Sequence, residues 1–163
     1  MVPSCRALSD QRQNSALRTQ TEQTVVVPSL PASPNSLLVR TTFDDGGAWA
    51  GLLAAVAAET VDGFRAYVDV IDDDAWAGTS DETVRAGILA AGGDGAVAFV
   101  VDQQALAADF PILVVDISAE ARPSFRCIAA ELWSVDNNLN LANMDWEEFA
   151  DATDSQGIYR GLG

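Results

Sequence analysis

Aspartates follow the predicted strands of this sequence, at positions where a sheet could bring them together. Asp44 and Asp45 follow the first apolar run, Asp72 follows the second, Asp102 ends the third, and Asp116 lies near the end of the fourth. In an α/β sheet, ligands bind at the carboxyl ends of parallel strands, and Mg²⁺ prefers carboxylate oxygens. These aspartates predict a Mg²⁺ or Mn²⁺ site for hydrolysis or phosphotransfer. The alternative is that they cap helices and begin turns.

A second candidate site is the segment LWSVDNNLNLANMDWEEF, residues 132–149. Four asparagines fall within seven positions: Asn137, Asn138, Asn140 and Asn143. Asparagine is a poor helix former and a good capping residue, so these side chains are expected to end one helix and lead into the next. The alternative is a polar recognition patch for a partner, with Trp133 as its anchor.

The same segment also resembles a calcium-binding loop. Asp136, Asn138 and Asn140 occupy positions one, three and five of a twelve-residue loop, and Glu147 occupies position twelve. Position six is Leu141, where the sharp turn of such a loop needs glycine. Calcium binding is therefore a third hypothesis.

The hydrophobic pattern predicts the elements that would position these residues. Five strands are expected, at 37–43, 64–71, 96–101, 112–117 and 125–129. Helices are expected after Asp45, after a capping box of Thr79 and Glu82, briefly at 103–108, and twice after residue 131. The short link between the last two strands favours a hairpin. The pattern predicts a single α/β sandwich domain with a mostly parallel, mixed five-stranded sheet and flanking helices.

Composition excludes several classes of protein. The 163 residues include 24 acids, nine arginines, no lysine and no histidine, for a formal net charge of −15. Without histidine or lysine there is no Ser-His or Cys-His pair, no Schiff base and no Walker-type phosphate loop. The negative field repels nucleic acid and anionic membranes and attracts cations or a basic protein. No apolar run is long enough to span a membrane.

The chain divides into two regions of different composition. Residues 1–35 are rich in Gln, Ser, Thr and Pro and carry three arginines against two acids, which predicts a disordered N-terminal tail. Residues 36–163 hold 22 acids and six arginines, a net charge of −16, and form the predicted domain. Two cysteines, Cys5 and Cys127, make no disulfide framework, which fits a reducing cytoplasm.

Five stretches of the sequence resemble a known family. They are SLLVRTTFDDGGAW, FVVD, PILVVD, FRCIAAELWSVDNNLNLANMDWEEFADA and GIYRG. They resemble a family of small acidic actinobacterial proteins defined by a domain of unknown function, over residues 36–162. The resemblance implies a compact domain and an actinobacterial origin, and no activity. This chain has Thr42 where the family pattern has aspartate, so a metal ligand at that position would be lost.

Together these observations favour binding over catalysis. The leading hypothesis is a non-catalytic protein-interaction module, immunity-like or regulatory, that engages a basic protein partner. The alternatives are a carboxylate-based enzyme that uses Mg²⁺ or Mn²⁺, and a calcium-binding loop protein. No other cofactor is expected.

Overall fold

The structure is a computed structural model that describes residues 28–93 and 95–162. Within these ranges the chain forms six strands: β1 (Ser36–Arg40), β2 (Val68–Ile71), β3 (Val97–Val101), β4 (Pro111–Asp116), β5 (Phe125–Ile128) and β6 (Ile158–Tyr159). It also forms four α-helices: α1 (Gly46–Ala57), α2 (Asp81–Ala90), α3 (Leu132–Asn140) and α4 (Trp146–Asp151). Three single 3₁₀ turns lie at 74–76, 104–106 and 129–131. None of the helices in these ranges is long and apolar enough to cross a membrane.

The strands form one mixed sheet in the order β2-β1-β3-β4-β5-β6. β1 is parallel to both β2 and β3, β4 is antiparallel to both β3 and β5, and β6 is parallel to β5. Five strands therefore run in one direction and β4 alone runs in the other. The predicted α/β fold, the mostly parallel mixed sheet and the hairpin before the fifth strand are confirmed. The sixth strand was not predicted, because two residues are too few to show an alternating pattern.

Side-chain alternation along the strands divides the core into two layers. Leu38, Phe99 and Val114 face one side of the sheet, where they pack with residues of α1, α3 and α4. Their neighbours Val39 and Val100 face the other side, where α2 packs. The sheet is therefore covered on both faces, as its continuously apolar central strands require.

The predicted boundary of the N-terminal tail needs correction. Residues 1–27 lie outside the described residues. From residue 28 the chain packs against the domain: Leu30 is only 5% exposed and lies in the α2-side core. Ser33 and Asn35 donate hydrogen bonds to the carboxylate of Asp69 in β2. The folded unit therefore begins before residue 36, and a Pro- and Ser-rich composition concealed this.

Two local boundaries also differ from the prediction. The predicted cap at Thr79 is wrong. α2 is capped by Ser80, whose hydroxyl accepts the Thr83 N–H. The Thr79 hydroxyl donates to the Trp76 carbonyl. β2 begins only at Val68, because the N–H of Tyr67 donates to a side chain, the carboxylate of Asp136, rather than to a neighbouring strand. Hydrophobic alternation starting at residue 64 therefore overestimated the length of this strand.

The end of α3 is closed by a Schellman turn without glycine. The Ala142 N–H donates to the Leu139 carbonyl and the Asn143 N–H donates to the Asn138 carbonyl, which is the hydrogen-bond pair of that motif. Ala142 lies in the left-handed region, with φ 52°. Glycine is the residue usually found there, because a Cβ atom makes this conformation unfavourable.

We expect Ala142→Gly to stabilise the domain by about 1 kcal/mol, which raises the melting temperature by a few degrees. The matched control is Ala54→Gly, an exposed position inside α1, which should lose a similar amount because helix interiors disfavour glycine. Thermal unfolding followed by tryptophan fluorescence measures both. Destabilisation of similar size in the two variants would show that the left-handed position at residue 142 carries no strain.

Candidate functional site

The carboxyl ends of β1 and β3 border an open crevice. The chain passes from β1 to β2 on one side and then from β2 to β3 on the other, so the strand order reverses between β1 and β3. Such a reversal is where open α/β sheets bind ligands. A cavity of about 460 Å³ lies here, lined by the residues after β1, the residues after β3 and the 77–79 loop. Of the predicted metal ligands, Asp44 and Asp102 border this cavity.

Asp72 follows β2 at the same edge, where arginine and tryptophan hold its carboxylate. The Arg40 guanidinium donates to one oxygen at 3.0 Å, and the indole N–H of Trp49 donates to the other at 3.0 Å. The same guanidinium lies 4.3 Å from the centre of the Phe43 ring. Arg40 is buried, so this carboxylate compensates a cation that the fold has removed from water.

The carboxylate of Asp102 accepts more hydrogen bonds than that of Asp72. Both of its oxygens accept hydrogen bonds from Arg126, at 3.0 and 2.6 Å, in the two-pronged geometry that suits guanidinium and carboxylate. The Ala105 N–H donates to it as well. Burial alone raises the pKa of Asp102, but the hydrogen bonds from Arg126 and Ala105 outweigh burial, and the pKa is lowered.

Asp116 lies at the opposite edge of the sheet, because β4 runs against β3. It is paired with Val97, the first residue of β3. Its buried carboxylate accepts from the Arg122 guanidinium at 2.7 Å and from the Ser118 N–H at 2.8 Å. Burial raises the pKa of Asp116, but the hydrogen bonds from Arg122 and Ser118 outweigh it, so the pKa is lowered.

The predicted metal ligands therefore do not converge. Asp45 caps α1, where its side chain accepts the Ala48 N–H at 2.8 Å, and Asp44 is exposed beside the crevice. Across the described ranges, no three acidic or cysteine side chains are arranged to hold a metal ion. Asp72, Asp102 and Asp116 each have an arginine partner. These three positions act as anchors that tie strand ends to neighbouring elements.

The Asp116 pair makes stability depend on pH. Because the folded state lowers the carboxyl pKa, the stabilisation is present above the ordinary value of about 3.9 and is lost as pH falls through the folded value. We expect Asp116→Asn to be less stable at neutral pH, with a deficit that shrinks below about pH 4. Urea unfolding across this range measures it. Glu120→Gln, which removes a nearby exposed carboxylate, is the control, and a pH-independent deficit in Asp116→Asn would contradict the assignment.

At the amino ends of the parallel strands, a buried carboxylate of α3 contacts the first residue of β1 and the residue before β2. Asp136 is 4% exposed. Its carboxylate accepts from the Ser36 hydroxyl at 2.6 Å, the Tyr67 N–H at 3.1 Å and the Asn140 side-chain amide at 3.0 Å. The Asn140 carbonyl oxygen in turn accepts the Ala96 N–H at 3.1 Å. Burial raises the pKa of Asp136 despite these hydrogen bonds.

The asparagines have individual positions around this network. Asn138 donates to the Ser134 carbonyl one turn earlier in α3, and Asn137 borders an open cavity of about 450 Å³ together with Asp136 and Asn140. Asn143 lies in the Schellman turn, where its backbone N–H contributes one hydrogen bond. The first five positions of the proposed calcium loop are thus helical, so the structure shows a helix where that hypothesis requires a loop. Asp145 and Glu148 form a capping box at the start of α4.

We expect Asp136→Ala to destabilise the domain by at least about 2 kcal/mol, because three donors lose their buried acceptor. The control is Asn137→Ala in the next position of the same helix, where the change should be neutral or slightly stabilising because alanine favours helix. Equilibrium unfolding in urea measures both variants. Equal effects at the two positions would exclude a special role for Asp136.

Sequence reasoning missed an apolar groove beside β2. A cavity of about 350 Å³ lies between the end of α1, with Leu53, Val56 and Ala57, and the chain from Arg65 to Val70. Apolar and polar residues alternate along the predicted strand 64–71, but Phe64 and Val70 on its apolar side are 50% and 44% exposed. An alternating pattern does not show whether a helix covers that face of the strand, and here α1 leaves it partly open.

Trp133, the predicted anchor, packs against the exposed Phe64. Its ring stacks on Phe64, with centroids 4.9 Å apart and planes 13° from parallel. Its indole N–H is buried and has no hydrogen-bond partner among the described residues. Cys127 is a fully buried core residue, and burial raises the pKa of its thiol well above the ordinary value.

A comparison with family models matches residues 35–162 to a domain of unknown function, DUF6924. The match covers most of the chain, so the protein belongs to this family. No curated protein matches the sequence. The family has no assigned activity, and the function has to be argued from the structure.

Proposed function

We propose that the domain is an acidic protein-interaction module, immunity-like or regulatory, that binds a basic protein partner in the cytoplasm. This proposal rests on the contacts that the six arginines of residues 36–163 make within the chain. Five donate hydrogen bonds to carboxylates or carbonyls of the chain itself: Arg40, Arg85, Arg122, Arg126 and Arg160. The sixth, Arg65, lies 5.0 Å from the centre of the Tyr67 ring.

This use of the arginines leaves most of the acid uncompensated at the surface. Exposed acids of the described chain cluster after β1 and β2, at Asp44, Asp45, Asp73 and Asp74. A field of one sign speeds the encounter with an oppositely charged partner and repels anions. The surface therefore supports a basic protein partner and argues against nucleic acid or an anionic membrane.

A second candidate function is metal-assisted hydrolysis or phosphotransfer at the crevice between β1 and β3. Its support is the position of the crevice where the strand order reverses, with Asp44 exposed beside it. Against it, Asp72 and Asp102 are engaged by Arg40 and Arg126. A metal at this crevice would have to displace an arginine or rely on few protein ligands.

The test uses the full chain as an immobilised bait, followed by affinity measurement with each purified protein that it retains. We expect a partner of high isoelectric point, whose affinity falls about tenfold or more when salt is raised or when Asp44, Asp45, Asp73 and Asp74 are all changed to asparagine. This fourfold variant, called the carboxyl-edge variant, removes four negative charges at exposed positions and leaves the core residues unchanged.

The matched control changes four exposed acids elsewhere, Glu82, Glu120, Glu147 and Asp151, to their amides. It should weaken binding much less, because none of these four acids belongs to the cluster after β1 and β2. Retention of no protein beyond what an unrelated acidic bait retains would overturn the proposal. A Mg²⁺-dependent turnover that is lost on Asp44→Asn would favour the second candidate instead.

A further inference from the structure

The groove beside β2 is an exposed apolar surface that the acidic surface alone does not explain. Phe64, Tyr67 and Val70 are each between 44% and 57% exposed, and Val61 is fully exposed at one end. Of these, Tyr67 and Val70 line the 350 Å³ groove, together with Leu53 and Val56 of α1. Contiguous exposed apolar residues of this kind mark interaction surfaces more often than isolated ones do.

β2 is also the outermost strand on one side of the sheet. In the part of the chain that the structure describes, β2 pairs with β1 alone, through the register Ser36–Val68 to Val39–Ile71. An edge strand presents backbone N–H and C=O groups that can pair with a further strand. Val68 and Val70 point to the α1 side, so a strand added here would have its own alternate side chains above the groove.

The charges around the groove define what such a strand must carry. Glu59 and Asp62 are exposed in the loop that precedes it, and Asp73 and Asp74 are exposed directly after β2. Exposed acids therefore come before and after β2 in the chain, while Arg65, which lines the groove, lies over the Tyr67 ring. A second copy of this chain would bring the same acids, and its net charge of −15, against them.

We propose that an extended segment of the basic partner adds to the sheet as a strand beside β2. Its alternate apolar side chains enter the groove against α1, and its arginines or lysines lie at both ends, near Asp62 and Asp73. This inference rests on the proposed function for its basic partner, and it adds the place and the mode of binding. Strand addition of this kind takes its affinity from the main chain and its specificity from alternate pockets.

The test selects strand-length random peptides from a display library with the full chain as target. We expect the selected peptides to alternate apolar residues and to carry arginine or lysine at their ends. Fluorescence anisotropy then compares three chains: the unchanged protein, Val70→Lys and Leu162→Lys. Both substitutions place one positive charge at an exposed apolar residue, of 44% and 65% exposure, so the change in charge is the same.

Val70→Lys should weaken binding at least about tenfold, whereas Leu162→Lys should change it less than about twofold. Hydrogen exchange gives an independent readout, because strand addition should protect amides within Val68–Ile71 when the peptide binds. Without that protection, or with equal effects of the two lysines, the inference is overturned.

The outcomes also separate this inference from the proposed function. Basic peptides that respond to the carboxyl-edge variant but not to Val70→Lys would overturn strand addition and leave the acidic module intact. Apolar peptides without basic residues that bind at β2 would show the edge to be a binding site but would contradict the basic partner. A dimer of the free chain that Val70→Lys dissociates would assign the edge to a second copy and overturn the proposal.

Discussion

The structure depends on how a chain with 22 acids in residues 36–163 uses its six arginines. Arg40, Arg122 and Arg126 each reach a carboxylate at or just beyond a strand end: Asp72, Asp116 and Asp102. Each of these pairs ties the sheet to a segment distant in sequence or to a neighbouring loop. A buried or half-buried guanidinium that loses its carboxylate destabilises the fold, so each of these arginines stays paired with its carboxylate. The fold takes up its positive charge internally, and the surface becomes acidic as a consequence.

Much of the fold follows from local patterns in the sequence. The apolar runs that form β3 and β4 are continuously hydrophobic because both faces of the sheet are covered, and the capping box of Asp145 and Glu148 can be recognised at a spacing of three residues. The direction of β4 does not follow from a local pattern. Hydrophobic periodicity gives the strand but not its direction, and the direction decides whether Asp116 joins Asp72 and Asp102 or lies at the opposite edge.

The candidate sites were predicted less completely, because they depend on contacts between distant residues. Asp136 meets Ser36 across 100 positions and Tyr67 across 69, and no local spacing shows that one carboxylate accepts from both. The asparagine-rich segment was recognisable as unusual, and Asn140 does have a defined role beside Asp136. The groove at β2 was invisible for another reason. An edge strand and a central strand can share one alternating pattern, so the sequence does not show that Val70 stays partly exposed beside α1.

The arginines are committed to internal contacts, while the acids at the surface repel one another. The most direct measurement is the melting temperature at neutral pH as NaCl rises from about 20 mM to about 500 mM, with sucrose at matched osmolarity as control. We expect the melting temperature to rise by several degrees and then level off, because screening weakens the repulsion among surface carboxylates. A melting temperature that falls over this range would show instead that exposed ion pairs dominate the electrostatics.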